Sequence, residues 1–291
     1  MNKSLQKFVA VAISAGVVLS PIAYFLLLLW YEVSLDNTVI VLKNKKNKHL
    51  AVLQDDQEFV SQNGVIKFND IKELPSVITS SKNHEYHAYV PSFEEFILLM
   101  KRGPQIIYPK DIGSILIAGN INKNSNILEI GTGSGALTLY LNLILDKESQ
   151  LFTLDESKRN QRRAQKTIER FLTSSKIINN LLKVNYINTN LSNFSFKDIA
   201  DEVDTIITDI PEPWEFFIKN KIENNLNWVS YLPSITQVEK IVTKLHEHNF
   251  LNIKIMETLN REWIVDKKIV RPKNEMVGHT GFLVSARFLS N

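Results

Sequence analysis

The fold is decided by the stretch Asn126-Ile-Leu-Glu-Ile-Gly-Thr-Gly-Ser-Gly-Ala-Leu-Thr138. Its apolar part, Ile127 to Ile130, predicts a short buried strand, and Ala136 to Leu145 predicts an amphipathic helix. Between them stand three glycines at two-residue spacing: Gly131, Gly133 and Gly135. Glycine allows a sharp turn and removes the Cβ atoms that would keep a ligand at a distance. The strand, the glycine turn and the helix N-terminus together predict a cofactor-binding turn.

An acidic residue follows the next predicted strand. This strand, Gln150 to Asp155, ends in a carboxylate 20 residues after Gly135. A carboxylate at that place can accept hydrogen bonds from both hydroxyls of a ribose. Dinucleotide enzymes and methyltransferases that use S-adenosylmethionine share this arrangement. The spacing therefore indicates a nucleoside cofactor and leaves its identity open.

Strands and helices alternate through the rest of the chain. Further strands are predicted at 183–187, 204–208, 228–232, 252–257 and 281–288, and helices at 156–172 and 236–247. Such alternation is typical of an α/β fold, with a mostly parallel sheet and helices on both of its faces.

A second acid stands where the strand 204–208 ends. Asp209 is followed by Ile-Pro-Glu-Pro-Trp214, and the two prolines stiffen this loop. Ligands of doubly wound sheets bind beyond the carboxyl ends of the strands. Asp209 can accept a hydrogen bond from an exocyclic amine, and Trp214 or Tyr108 can stack on a base. The alternative is that Asp209 only caps the segment that follows it.

Composition limits the classes of function. The 291 residues are 44% hydrophobic, enough for one large domain and a smaller one. Because the chain has no cysteine, disulfides, thiolate nucleophiles and cysteine zinc sites are excluded. The net charge of +3 is compatible with nucleic-acid binding without requiring it.

The N-terminus predicts a membrane anchor. Residues 8–30 contain no charged side chain, and a run of 23 residues is long enough to cross a bilayer as a helix. More lysines follow this run than precede it, which favours a cytoplasmic location for the main domain. The alternative is an over-extended start site. We therefore divide the chain into a hydrophobic segment at 1–35, a small β domain at 36–90 and a Rossmann-like domain at 91–291.

Three local features carry further expectations. Ser92 and Glu95 form a predicted capping box, and Asp111 is predicted to cap a helix over 112–118. A lysine turn lies within a predicted hairpin, 38–42 and 49–53; we interpret it as a solvated turn, with contact to RNA phosphates as the alternative. The helix 156–172 is basic and carries Lys158, Arg159, Arg162, Arg163 and Lys166. A solvated face is the ordinary interpretation of such a helix, and a phosphate-contacting face is the alternative.

Four motifs in the same order resemble the tRNA (adenine-N1)-methyltransferases, which methylate an adenine in the T-loop of tRNA. They are Lys101-Arg-Gly-Pro-Gln-Ile-Ile-Tyr-Pro-Lys-Asp111, Leu128 to Thr138, Asp209 to Trp214, and Met276-Val-Gly-His-Thr-Gly-Phe-Leu283. The resemblance covers residue 37 to the C-terminus. It implies an S-adenosylmethionine-dependent methyltransferase fold, tRNA as substrate and a homotetramer.

The resemblance also implies roles for single residues. The cofactor would lie on Gly131 and Gly133, with its methionine part beside Ser134, Gly135, Ala136 and Leu137 and its ribose on Asp155. Asp209 would be the catalytic group. Gln105, Tyr108, Trp214 and His279 would line the substrate pocket. No metal is needed, because the leaving group departs as a neutral thioether.

The sequence departs from the family at three places. Asn190 stands where the family often has an acid against the cofactor adenine, and its oxygen can still accept from the amine without charge. Asn160 stands where a basic side chain or a histidine is more frequent. The hydrophobic N-terminal segment is not part of the family pattern.

Three competing functions stay open at this point. The first is a methyltransferase acting on another RNA position or on a protein. The second is a membrane-tethered tRNA-binding subunit without catalysis. The third is a nicotinamide dehydrogenase, for which the loop from Asp209 to Trp214 offers no hydride-transfer site.

Overall fold

The computed structural model describes residues 35–100, 105–175 and 182–290. Residues 37–291 form one compact unit. The predicted membrane segment at 8–30 lies outside the described residues. Within the described ranges, no helix combines the length and the apolar character that crossing a membrane requires.

The secondary structure follows the predicted alternation. The strands are β1 Val39–Lys43, β2 Lys48–Val52, β3 Glu58–Ser61, β4 Gly64–Lys67, β5 Ser76–Thr79, β6 Glu85–Tyr89, β7 Ile127–Ile130, β8 Leu151–Asp155, β9 Val184–Asn188, β10 Thr205–Thr208, β11 Leu226–Leu232, β12 Leu251–Met256, β13 Trp263–Asp266, β14 Ile269–Pro272 and β15 Phe282–Phe288. The helices are α1 Phe93–Leu99, α2 Pro109–Ala118, α3 Ala136–Ile144, α4 Lys158–Ser174, α5 Phe216–Lys219 and α6 Ile235–Glu247.

The first six strands build a small antiparallel region. One sheet has the order β2-β1-β6-β5, and β3 pairs with β4 in a separate hairpin. The predicted hairpin of β1 and β2 is present, with Val39 opposite Val52. Two strands of this region, β3 and β6, were not predicted, because their polar and charged residues hide the apolar alternation.

The main sheet has seven strands in the order β12-β15-β11-β10-β7-β8-β9. The strands β9, β8, β7, β10 and β11 run parallel, and β15 is antiparallel to both of its neighbours. All four residues of β7 and of β10 are buried, as expected for central parallel strands covered on both faces. The predicted α/β fold with a mostly parallel sheet is confirmed.

Two hydrophobic clusters cover the opposite faces of this sheet. Leu128 packs in one cluster with side chains of α6, whereas its neighbour Ile127 packs in the other with side chains of α2 and α3. Successive residues of a strand point to opposite faces, so the two clusters lie on either side of the sheet. A third cluster joins α3 and α4 to α1 and β1. Helices thus lie on both faces, as the sequence predicts.

Of the two predicted helix N-caps, one is confirmed and the other is wrong. The capping box of Ser92 and Glu95 is present at the start of α1. Asp111 does not cap α2, because that helix begins two residues earlier at Pro109, with Tyr108 as its N-cap. Proline is well suited to a first helical position, since its missing N–H would have had no partner there. Asp111 is instead buried, with 3% of its surface exposed.

Candidate cofactor and substrate site

The glycine turn lies between β7 and α3, at the carboxyl edge of the sheet. Gly131, Gly133 and Gly135 have φ values of 104°, 51° and 80°, a region that residues with a Cβ atom rarely adopt. A Cβ atom on Gly131 would lie 2.4 Å from the carbonyl oxygen of Asp209. One on Gly135 would lie 2.7 Å from Cβ of Ala164 in α4. Glycine is therefore required both for the turn and for close packing around it.

Asp155 supports this turn from the end of the neighbouring strand. Its Oδ2 accepts a hydrogen bond from the backbone N–H of Gly133 at 2.9 Å, and its Oδ1 accepts one from the N–H of Ser157 at 2.7 Å. A carboxylate has about four lone pairs, so both oxygens retain capacity for ribose hydroxyls. The turn and the acid are thus held together before any ligand binds.

Asp209 lies at the end of β10, beside the glycine turn. Its backbone N–H donates to the carbonyl of Ile130 at 2.8 Å, which extends the ladder between β10 and β7 by one bond. The residue keeps partial contact with solvent, but the surrounding protein excludes most of the water from its carboxylate. This desolvation raises the pKa of Asp209 to about 7. The group therefore titrates in the neutral range that suits an acid–base role.

Glu129 is a second acid under the glycine turn, and the sequence analysis assigned it no role. It is 1% exposed, and its Oε2 accepts hydrogen bonds from the hydroxyls of Thr138 and Thr153, both at 2.6 Å. Thr132 of the turn contacts the Thr153 hydroxyl at 2.7 Å. Burial raises the pKa of Glu129 to about 8, and the nearby charges of Asp209 and Asp155 add to the shift. Glu129 is therefore mostly neutral at pH 7.

A buried network anchors the loop that precedes β15. Asp111 Oδ2 accepts hydrogen bonds from the hydroxyls of Thr280 at 2.7 Å and Tyr231 at 3.0 Å. Lys110 Nζ lies 2.7 Å from Asp111 Oδ1 and also donates to the carbonyl oxygen of Thr258 at 2.6 Å. Because every partner of the carboxylate is a donor, the buried charge is compensated. The network connects α2, β11 and the segments on either side of the β13–β14 hairpin.

His279, in the same loop, is held on both ring nitrogens. Nδ1 lies 2.6 Å from Oε1 of Glu257, and Nε2 lies 3.0 Å from the carbonyl oxygen of Pro233, just after β11. Both partners are acceptors when Glu257 is ionised, so the two contacts are satisfied together only by the doubly protonated imidazolium. The hydrogen bond with Glu257 accordingly raises the pKa of His279 above its ordinary value. Both contacts therefore favour the protonated form of His279.

The remaining predicted residues occupy different environments. Tyr108 is partly buried at the start of α2, and Gln105 is exposed three residues earlier. The Trp214 ring packs against the core, and Lys240 Nζ lies 4.9 Å from its centroid. One face of the indole is therefore already in contact with a cation. The structure does not test the predicted roles of these three side chains, which stay predictions.

The two asparagines that depart from the family pattern both lie in local turns. Asn190 is exposed, and its Oδ1 accepts a hydrogen bond from the N–H of Asn193 at 3.0 Å. Asn160 lies in the first turn of α4, where its N–H is bonded to the Ser157 hydroxyl. Their predicted contacts with the cofactor also stay predictions.

Sequence reasoning missed the parts of the site that depend on distant contacts. A charged residue within the apolar run Ile127 to Ile130 was an available signal for Glu129. Nothing local indicated that Asp111 would bond Thr280, 169 positions away. The β13–β14 hairpin was not predicted either.

The chain can now be compared with known proteins. A family model described as "tRNA methyltransferase complex GCD14 subunit" matches residues 87–271. The chain is 32% identical to the Methanocaldococcus jannaschii protein TrmI, named as a tRNA (adenine(57)-N(1)/adenine(58)-N(1))-methyltransferase, over 85% of this chain and 94% of the relative.

Two solved structures share the fold. The tRNA (m1A58) methyltransferase TrmI from Aquifex aeolicus superposes with a TM-score of 0.70 at 28% identity, covering 88% of this chain and 98% of that one. A SAM-dependent O-methyltransferase from Thermotoga maritima superposes with a TM-score of 0.75 at 23% identity, covering 88% and 94%. The second likeness shows the fold alone. The family match and the level of identity show that this chain belongs to the tRNA (adenine-N1)-methyltransferase family.

Proposed function

We propose that this protein transfers a methyl group from S-adenosylmethionine to N1 of an adenine in the T-loop of tRNA. We assign position 58, with position 57 as a second target, because the M. jannaschii relative is named for both positions. The observation that carries the proposal is the contact between Gly131 and the backbone of Asp209. It brings an acid that titrates near neutrality against the turn where the cofactor would bind.

The residues present suit S-adenosylmethionine. Gly131 and Gly135 have positive φ values and pack closely against Asp209 and Ala164, which keeps the turn tight at the end of β7. Within the start of α3, from Ser134 to Leu137, the N–H of Gly135 donates to the carbonyl oxygen of Thr132 and that of Ala136 donates to Ser134 Oγ. The other N–H groups of this helix start would suit the carboxylate of the methionine part. Asp155 suits the ribose, and Asn160 and Asn190 lie on the segments that follow β8 and β9. When bound, S-adenosylmethionine supplies an electrophilic methyl group on a positively charged sulfur.

Asp209 provides the electrostatic part of the mechanism. Methylation at N1 places positive charge on the adenine ring and its N6 amine. An ionised Asp209 near that amine stabilises this charge, and its low-dielectric surroundings strengthen the interaction. The carboxylate can also accept a proton from N6. With a pKa of about 7, Asp209 is substantially ionised at neutral pH in the free protein.

The pocket for the adenine must accept a base that has left the folded tRNA. N1 faces the pairing partner of the adenine, so the base has to swing out to be methylated. Tyr108 and Trp214 would offer ring faces for stacking, and Gln105 would offer an amide. His279 would line the pocket, with its ring oriented by Glu257 and the carbonyl oxygen of Pro233.

We further propose that the protein assembles as a homotetramer. The strands β12 to β14 expose large apolar side chains, among them Ile255, Trp263, Val265 and Val270, each at least half exposed. Apolar groups concentrated on one hairpin suit an interface between copies. Light scattering coupled to gel filtration should give the mass of four chains, and Trp263→Ser with Val265→Ser should lower it.

The test of the reaction is nucleoside mass spectrometry. The full-length protein is incubated with S-adenosylmethionine and an unmodified tRNA transcript, which is then digested. We expect 1-methyladenosine in the digest, and we expect no 1-methyladenosine from a transcript in which the two target adenines are replaced. If the protein binds S-adenosylmethionine but does not form this product, its methyl acceptor is not the T-loop adenine. Absence of both would favour a tRNA-binding subunit without catalysis.

A further inference from the structure

The outer face of α4 carries a basic groove. Its walls are the five residues Lys158, Arg159, Arg162, Arg163 and Lys166, all exposed. They occupy one side of the helix. The opposite side packs inward, where buried Gln161 donates hydrogen bonds to the backbone carbonyls of Thr153 and Ile187. The orientation of the groove is therefore fixed by the fold.

The five cations have no carboxylate partner among the residues that the structure describes. None of them belongs to an ion pair there. The whole helix contains a single acidic residue, Glu169. A solvated helix face ordinarily mixes both signs of charge, since opposite charges three or four positions apart stabilise the helix. Glu169 stands three positions after Lys166, but no ion pair joins them in the described structure, so the five cations are not paired in this way.

The arrangement is unfavourable for the helix itself. Lys158, Arg162 and Lys166 follow each other at four-residue spacing, as do Arg159 and Arg163, so like charges repel along each row. Lys158 and Arg159 also occupy the first turn, where the helix dipole disfavours positive charge, and that turn holds no acid. An external polyanion would relieve both conflicts.

The position of α4 connects the groove to the site. Its N-cap, Ser157, donates its backbone N–H to Asp155, which in turn bonds the glycine turn. The basic rows therefore begin at the carboxyl edge of the sheet. They extend about 12 Å along the helix from Lys158 to Lys166, at 1.5 Å per residue. A phosphate backbone lying on this face would lead directly to the site.

We propose that the basic groove of α4 binds the sugar-phosphate backbone of the tRNA and delivers the target loop to the site. This inference rests on the proposed function for the identity of the nucleic acid. Contacts to phosphates carry no sequence information, so the groove positions the tRNA and does not select the adenine. Each neutralised phosphate releases counterions, which makes the binding depend on salt.

The test compares two full-length variants that remove the same charge. One changes Arg159, Arg162, Arg163 and Lys166 to Gln, which has a helix propensity close to that of Lys and Arg. The matched control changes four exposed lysines in the two hairpin turns, Lys45, Lys46, Lys267 and Lys268, to Gln. The affinity for tRNA is measured against salt concentration without cofactor.

We expect the α4 variant to bind tRNA at least tenfold more weakly near 0.1 M salt, and the slope of log K against log salt to decrease by about 3. S-adenosylmethionine affinity should stay unchanged, and the thermal midpoint should not fall, because repulsion within α4 is removed. If the fourfold change impairs folding, Arg162→Gln with Arg163→Gln should give about half the change in slope.

Three results would overturn the inference. The first is an α4 variant whose tRNA affinity and salt slope are unchanged. The second is a control variant that loses as much tRNA affinity as the α4 variant. The third is an α4 variant that binds anionic vesicles more weakly than the wild type but binds tRNA normally. The proposed function fails separately, if the wild-type protein binds tRNA through α4 yet forms no 1-methyladenosine.

Discussion

A Cβ atom placed on Gly131 would lie 2.4 Å from the carbonyl oxygen of Asp209 and 3.0 Å from its carbonyl carbon. Backbone, rather than a flexible side chain, occupies this space. The first residue of the cofactor turn and the proposed catalytic acid therefore constrain each other directly. Two strand ends that are far apart in the sequence become one site because β7 and β10 are neighbours in the sheet.

This contact predicts the effect of Gly131→Ala. The new methyl group would force the two strand ends apart at a residue whose φ is 104°, so we expect a loss of about 1–3 kcal/mol in the free energy of unfolding. The rate of methyl transfer should fall by more than the loss of stability explains, because the substitution also displaces Asp209. Thermal unfolding and initial rates measure the two effects.

Gly113→Ala is the matched control for that change. Gly113 lies inside α2, and outside the backbone of that helix no atom of a more distant residue stands within 4 Å of its missing Cβ atom. Alanine there should stabilise the protein by about 0.5–1 kcal/mol and leave the rate unchanged. Equal thermal midpoints and rates for the wild type and Gly131→Ala would contradict the proposed constraint.

Asp209→Asn should lower turnover by roughly 10²–10³-fold, because the amide cannot compensate the positive charge on the adenine. S-adenosylmethionine should still bind, as measured by calorimetry. Glu212→Gln, an exposed carboxylate of the same loop, should retain normal turnover. A normal rate in Asp209→Asn would remove this residue from the mechanism.

The pKa of Asp209 predicts how the wild-type rate depends on pH. The kcat/KM for tRNA should fall as pH decreases through about 7, since the protonated acid no longer stabilises positive charge. A flat profile between pH 6 and pH 8 would show that ionisation of Asp209 does not govern the rate.

Glu129 predicts an effect of pH on stability. Its pKa is raised from 4.5 to about 8, so the folded state binds a proton that the unfolded state has lost above pH 4.5. Its contribution is fully present below pH 4.5 and is lost as pH rises through about 8. Glu129→Gln stays neutral and should exceed the wild type in stability by on the order of 5 kcal/mol at pH 9.

The difference between Glu129→Gln and the wild type should be small at pH 5, where both side chains are neutral in the folded state. Denaturant unfolding at the two pH values measures it. A difference that does not depend on pH would mean that Glu129 is ionised in the folded protein throughout this range.

The contact between Glu257 and His279 predicts a change that NMR can detect. In Glu257→Gln the ring loses its anionic partner, so the pKa of His279 should decrease toward its ordinary value. His248 is an internal reference, because its pKa is lowered by burial and should not move. An unaltered His279 titration in the variant would show that the ion pair does not form in solution.

Much of the architecture could be predicted from local patterns. The apolar runs of β7, β8 and β10 lie in central strands of the sheet. Such strands can be predicted from their own apolar residues, without knowledge of the strands beside them. Strand β12 was predicted at 252–257 and is present at Leu251–Met256, although most of it is exposed. The β13–β14 hairpin was not predicted, because both of its strands are largely exposed and lie outside the main sheet. A strand without a buried face carries no hydrophobic period to detect.

Local sequence patterns were enough to predict the alternation of strands and helices, the glycine turn and the placement of Asp155 and Asp209 at strand ends. These follow from short-range periodicity and from the rule that parallel strands present their carboxyl ends at one edge. The tertiary structure was needed to show that Asp111 is buried with Thr280, that the pKa of Glu129 is raised, and that His279 lies between Glu257 and Pro233. Protonation and hydrogen bonding depend on the burial and partners of each group, and those partners come from distant parts of the chain.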